Sequence, residues 1–238
     1  MHVLSVSLFH KQFPTKDLYP FNLAVLRQTA RLVFPSRVTF FVGENGTGKS
    51  TLLEALAREC GVHIWEAGLQ RRGRTGNPYE QDLYKYIKAE WSNGRVPGSF
   101  FASDLFRDFT QILDDWATGD PGVLDYFGGE PLTNKSHGQS LMAFFRSRYK
   151  IKGVYFLDEP ETALSPKSQL ELAALLKEMS CAGHAQFVIA THSPILLACP
   201  GAAIYSFDSV PVSNIAYEDT DHYRIYKAFL EDASRFLG

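Results

Sequence analysis

The stretch Gly43-Glu44-Asn45-Gly46-Thr47-Gly48-Lys49-Ser50 fits the pattern G-x-x-x-x-G-K-[ST], and Thr51 adds a further hydroxyl. Each residue type has a chemical reason to be there. The glycines let successive backbone N–H groups turn inward and let the chain come close to phosphate oxygens. Lys49 would reach the β- and γ-phosphates of a nucleotide, the Ser50 hydroxyl would ligate Mg2+, and Thr51 would touch the α-phosphate. The cradle works only between a strand and a helix, because the helix N-terminus supplies unsatisfied donors and the positive end of its dipole. Both flanks are present. Arg37 to Val42 (RVTFFV) reads as a short buried strand. Lys49 to Glu59 carries Leu52, Leu53 and Leu56 at helical spacing and stops at Cys60-Gly61.

A phosphate cradle hydrolyses nothing alone; Mg2+ needs an acidic anchor and the attacking water needs a base. VYFLDEPE supplies both, four apolar residues of a buried strand followed by Asp158 and Glu159 at its exposed end. Asp158 is the expected Mg2+ anchor and Glu159 the group that polarises water. FVIATHSP repeats the arrangement on another strand, so His192 is expected at the same carboxyl edge, where ligands bind in open α/β sheets. There it would contact the γ-phosphate.

These groups have to be positioned by the rest of the chain. Val3 to Phe9 alternates as a half-buried strand, and residues 22 to 34 fit either helix or strand. A helix is expected over Gln139 to Arg148 and strands over Val154 to Leu157 and Gln186 to Ala190. Ser165 is a good N-cap, with Pro166 at the first helical position of a helix running to about Met179. Asp221 to Leu230 reads as a closing amphipathic helix. From about residue 70 to residue 135 the composition shifts to Gly, Pro, Asn and Ser with many aromatics, and Asp82 to Glu90 and Ser103 to Trp116 read as helical. The expected organisation is one α/β domain with a largely parallel sheet, its core at 1–69 and 136–238, and a helical insertion at about 70–135 whose aromatics form a small core of its own.

Composition narrows the partners. With 24 Lys and Arg against 26 Asp and Glu, the net charge of −2 gives no electrostatic case for nucleic acid or acidic membranes. Arg71, Arg72 and Arg74 form the one basic run and read as a solvated loop. Cys60, Cys181 and Cys199 lack metal-ligand spacing and fit reduced thiols. No apolar run approaches the roughly 18 residues of a membrane span, and the start lacks a signal-peptide pattern, so a cytoplasmic location is expected.

The phosphate loop, SHGQS (Ser136 to Ser140), LDEPE (Leu157 to Glu161), TALSP (Thr162 to Pro166) and ATHSP (Ala190 to Pro194) together resemble the ABC-type ATPases. They occur in that family's order, and Gln139 precedes Asp158 by a similar spacing. The chain as a whole, especially SHGQS, LDEPETALSP and THSPILLACPGA, looks like a group of small stand-alone bacterial ATPases carrying AAA-type labels. The resemblance implies ATP and Mg2+ as cofactors and an ATP-dependent, head-to-tail homodimer that drives change in an unknown protein partner. In it, Ser136 and the Gly138 backbone would contact the γ-phosphate of the other subunit, with Gln139 completing the signature. There are departures. His137 replaces the signature's first glycine, and Ser165 stands where the family usually has aspartate. For the family's Mg2+-ligating glutamine the nearest match is Gln70, and for its adenine-stacking aromatic, Tyr19 or Phe21. Two other classes stay open: a non-hydrolytic nucleotide-sensing module, and a small-molecule kinase using the same loop with the arginine run as lid.

Overall fold

The structure is a computed structural model and describes residues 1–62, 64, 77–103, 122 and 137–237, with the backbone alone at His137. In chain order the elements are β1 (Val3–Leu8), α1 (Ala24–Gln28), β2 (Arg31–Val33), β3 (Val38–Val42), α2 (Lys49–Glu59), β4 (Ile87–Trp91) and β5 (Gly98–Ala102). They continue with α3 (His137–Arg148), β6 (Gly153–Asp158), α4 (Pro166–Cys181), β7 (Ala185–Ala190), α5 (Pro194–Leu197), β8 (Ala203–Ser206), β9 (Ser213–Ile215), α6 (Asp221–Glu231) and α7 (Ser234–Leu237).

A six-stranded sheet in the order β5-β6-β7-β3-β8-β9 is the spine of the molecule. Its first five strands are parallel and β9 closes the edge antiparallel. Strands buried on both faces read as continuous apolar runs, and successive side chains of one strand go to opposite faces. Accordingly Phe41, Phe156 and Val188 join one core cluster with α2 residues Leu52 and Leu56. Phe40, Leu157 and Phe187 join a second, with Phe145 of α3 and Leu176 of α4. A small antiparallel sheet, β2-β1-β4, covers the first cluster from the far side. The layers are therefore antiparallel sheet with α2, parallel sheet, then α3 and α4.

Several expectations hold. The phosphate-loop strand and helix end where the sequence places them. Ser165 caps α4, its Oγ accepting from Ser168 N at 3.2 Å. The ambiguous stretch 22–34 contains both a helix, α1, and a strand, β2.

The helix expected over Asp82 to Glu90 is corrected. Asp82–Tyr86 is a 3-10 turn, and Ile87 starts strand β4, whose buried–exposed alternation faces β1. Leu83 and Ile87 are four apart, as on a helix, but both are buried beside a strand that pairs across 85 residues of sequence; the ladder overrides the local pattern. Strand β5 likewise pairs in parallel with β6. The aromatics of the described stretch do not make a separate core: Tyr79, Tyr84, Tyr86, Trp91 and Phe100 pack onto the first cluster, and Phe101 belongs to the second. The helix expected at Ser103 to Trp116, beyond Ser103 itself, and the arginine run lie outside the described residues.

Candidate phosphate site at the carboxyl edge of the sheet

Five parallel strands end at one level. Phe41 pairs with Ala190 and Tyr205, while Asp158 pairs with Ala190 and Ala102. The residues next in the chain are thereby delivered to one edge: Gly43 after β3, Glu159 after β6, Thr191-His192 after β7, Phe207-Asp208 after β8 and Ser103 after β5.

At Gly48 the backbone is left-handed (φ +100°), which favours glycine, and a Cβ would sit tightly, 3.0 Å from Leu23 Cδ1. Gly46 has φ +81° with open space around it; there the conformation alone asks for glycine. The crest Glu44-Asn45-Gly46 is exposed, whereas Lys49 is only 4% exposed. Its ammonium donates to the Gly43 carbonyl at 2.7 Å and the Glu44 carbonyl at 2.9 Å. Burial lowers the Lys49 pKa, and the surrounding acids Glu159, Asp208, Asp158 and Glu44 oppose that shift. Thr47 Oγ1 turns back to the Glu44 carbonyl at 2.9 Å, bracing the crest.

Ser50 Oγ donates to Asp158 Oδ1 at 2.9 Å, joining the first turn of α2 to the end of β6. A hydroxyl and a carboxylate meeting beside a phosphate loop form the oxygen pair that a hard divalent cation takes when phosphates complete its shell. The residues present therefore fit Mg2+.

Glu159 has φ +45°, a left-handed conformation uncommon for a side-chain-bearing residue. Its backbone is held on every side. The N–H donates to the Ala190 carbonyl at 2.9 Å, and its carbonyl accepts from Ser103 Oγ at 2.7 Å and Thr162 Oγ1 at 2.9 Å. Strain maintained by so many contacts is characteristic of functional positions. The carboxylate Oε1 lies 3.7 Å from His192 Nε2. That imidazole is fixed from behind: its backbone N–H donates to Glu161 Oε1 at 2.6 Å, and its Nδ1 stands 3.0 Å from His222 Nε2. Burial lowers the pKa of His192, and Lys49 adds to the effect; burial raises that of Glu161.

The structure thus brings together the phosphate loop, Asp158, Glu159 and His192. Gly138 and Gln139, in the first turn of α3, have another neighbour: a Cβ on Gly138 would lie 3.2 Å from the Ala163 carbonyl, in the turn after Glu159, and Gln139 is exposed. Ser136, Gln70 and the His137 side chain lie outside the described residues. Of the two aromatics considered for adenine, Phe21 is fully buried among Phe13, Tyr79 and Tyr86 and is a core residue. Tyr19 is part-exposed and its hydroxyl bonds Thr51 Oγ1 beside the loop. Four contributors were missed in the sequence. Ser103 and Glu161 hold backbone at Glu159 and His192, His222 meets the His192 ring, and Asp208 Oδ1 accepts from Glu44 N at 2.8 Å. Glu161 stands inside the LDEPE motif; the other three have no spacing signal that would have found them.

A family model whose description joins an AAA domain to the AbiEii toxin and type IV TA systems matches residues 140–198, the stretch from α3 through Asp158, Glu159 and His192 to α5. No curated protein matches the sequence. Among solved structures, cbiO1 of Clostridium perfringens, part of the ABC transporter complex cbiONQ, is 17% identical, with TM-score 0.55 over 98% of this chain and 97% of that one. The SMC head domain of Thermotoga maritima is 16% identical, with TM-score 0.50 over 91% and 99%. An SMC head bound to the C-winged helix domain of ScpA is 13% identical, with TM-score 0.50 over 90% and 97%. Strand order, phosphate loop and these likenesses give one assignment: the chain has the fold of the ABC-type P-loop ATPase superfamily.

Proposed function

We propose that the protein is an ATP-hydrolysing switch of ABC type, whose ATP-bound form is a head-to-tail homodimer that drives a conformational change in a protein partner. The observation that carries this reading is the Ser50–Asp158 hydrogen bond of 2.9 Å at the phosphate loop, with Glu159 and His192 at the same sheet edge. The phosphate loop, Asp158, Glu159 and His192 at one sheet edge support this reading.

In the proposed reaction the loop's N–H groups and the N-terminus of α2 bind the triphosphate, and Lys49 exchanges its loop carbonyls for β- and γ-phosphate oxygens. Ser50 and Asp158 would hold Mg2+, which neutralises charge on the phosphates when bound. Glu159 accepts a proton from water as the water oxygen bonds to the γ-phosphorus; the bond from that phosphorus to the bridging oxygen breaks, leaving ADP and phosphate. His192 donates from Nε2 to a γ-phosphate oxygen. Ser136 and the Gly138 N–H of a second copy would close the site from above, with Gln139 beside them.

Glu159→Gln tests the reading. It keeps the Mg2+ site and removes the proton acceptor, so a closed dimer should accumulate. Light scattering should show the solution mass of this variant doubling with ATP and Mg2+ but not without them, and its turnover falling at least about a hundredfold. A mass unchanged by bound ATP would reject the sandwich. Wild-type turnover no faster than that of the variant would leave the sensing module as the reading.

A further inference from the structure

His192 and His222 meet through one ring nitrogen each, Nδ1 and Nε2, at 3.0 Å. Their other nitrogens, His192 Nε2 and His222 Nδ1, are buried and have no hydrogen-bond partner among the described residues. A contact at this distance between two neutral imidazoles holds one proton, because one nitrogen must donate and the other accept. Two arrangements satisfy it. If His192 Nδ1 carried the proton, its Nε2 would be a bare lone pair facing Glu159 Oε1 at 3.7 Å, acceptor against acceptor. If His222 Nε2 carries it, His192 accepts at Nδ1 and its own proton sits on Nε2, facing the carboxylate as a donor. The second arrangement is the electrostatically favoured one.

We propose that His222 is a positioning residue: it donates Nε2–H to His192 Nδ1, fixing His192 in the tautomer and orientation that present Nε2–H to the phosphate site. What His192 then touches rests on the ATPase reading above; the tautomer does not. The surroundings hold His222 where this requires. It stands in the first turn of α6, whose cap Thr220 accepts from Tyr223 N at 3.1 Å and donates to the Tyr217 carbonyl at 2.8 Å. Tyr217 in turn donates its hydroxyl to the Pro194 carbonyl at 3.0 Å, two residues beyond His192. Besides the histidine pair itself, the turn carrying His222 is therefore tied to the segment carrying His192 through Tyr217. Burial, with Lys49 nearby, lowers the pKa of both rings, which favours the neutral forms that share a single proton.

The test uses the full chain and the variants His222→Ala and His222→Gln, since a glutamine amide puts an N–H close to where His222 Nε2 stands. Nitrogen-15 spectra, with the His192 signals assigned by their loss in His192→Ala, should show proton on Nε2 and a lone pair on Nδ1 in the nucleotide-free wild type. Mg-ATP hydrolysis should fall about tenfold in kcat for His222→Ala with KM changed less than about twofold, and His222→Gln should recover most of the loss. A His192 protonated at Nδ1 overturns the proposal whatever the activity. So does a kcat for His222→Ala within about twofold of wild type, or a His222→Gln no better than Ala. Should His222→Ala not fold, the wild-type spectrum and the Gln variant decide alone. A wild type that hydrolyses no ATP defeats the ATPase reading and leaves the spectrum to judge the pair.

Discussion

Glu161 is a carboxyl group taken out of water and given one strong task, accepting the His192 N–H at 2.6 Å. Burial raises its pKa from the ordinary 4.5, while the bonds from His192 and Thr191 work the other way. That rise sets the direction of linkage. A folded-state pKa above the unfolded one means the folded protein holds the proton more tightly, so stability is greatest below the unfolded pKa and declines as pH rises through the folded value. Glu161→Gln keeps an acceptor for His192 and removes the charge. It should melt at a higher temperature than wild type at pH 8, with the difference shrinking toward pH 4; scanning calorimetry at the two pH values checks it, and a lower melting temperature at pH 8 would contradict it. Glu161 stands inside a motif, but its partners around the site mark where the sequence stops being legible. Lys49, Ser50, Asp158 and Glu159 are readable because phosphate chemistry fixes their types next to one another at strand ends. His222 sits 30 residues from His192, Ser103 56 from Glu159 and Asp208 164 from Glu44, so only the folded sheet brings them together.

Among the elements, β5 shows how tightly the site depends on a strand that carries none of the motif. A Cβ on Gly98 would lie 2.3 Å from the Val154 carbonyl oxygen and 2.7 Å from Val62 Cγ2, so nothing larger than glycine fits the β5–β6 ladder there. Gly98→Ala should lower unfolding stability by about 1–3 kcal/mol, since the backbones must part to admit the methyl group. Urea denaturation measures it, and a loss below about 0.5 kcal/mol would mean the ladder yields freely. The same strand leads to Ser103, which fastens the Glu159 carbonyl, so the packing at Gly98 reaches the site along one strand. The parallel strands β3, β6 and β7 are readable from their unbroken apolar runs, and the α4 cap from Ser165-Pro166, whereas β5 and β8 are not read as strands. Neither is β4. Ile87, Ala89 and Trp91 do alternate, but over so short a run the helical interval from Leu83 to Ile87 competes, and only pairing with β1 settles it. Glu90, read as part of a helix, accepts from Ser5 Oγ at 2.7 Å and pairs with Arg31 at 2.6 Å across the small sheet.

Across the whole molecule, burial and attachment are distributed unevenly. The parallel sheet is covered on both faces by two apolar clusters, and its carboxyl edge collects the chemistry. Helix α6 lies apart from that core. None of its residues is buried, and Ile225 and Leu230 are 54% and 79% exposed, yet its first turn holds the partner of His192. The helix is therefore fixed by polar contacts at one end, the Thr220 cap, the Tyr217–Pro194 bond and the histidine pair, and gains little from its apolar face. Substituting an exposed side chain removes almost no buried area, which keeps such changes within about 0.5 kcal/mol each. Truncating a fully buried leucine such as Leu56 of α2 costs about 2–5 kcal/mol by comparison. The double variant Ile225→Ser, Leu230→Ser should accordingly unfold within about 1 kcal/mol of wild type in dilute, nucleotide-free solution. A loss above about 2 kcal/mol would show instead that this face is covered in solution. Repeating the denaturation at a tenfold lower protein concentration then tells whether a second copy supplies the cover, because only an intermolecular contact makes the midpoint depend on concentration.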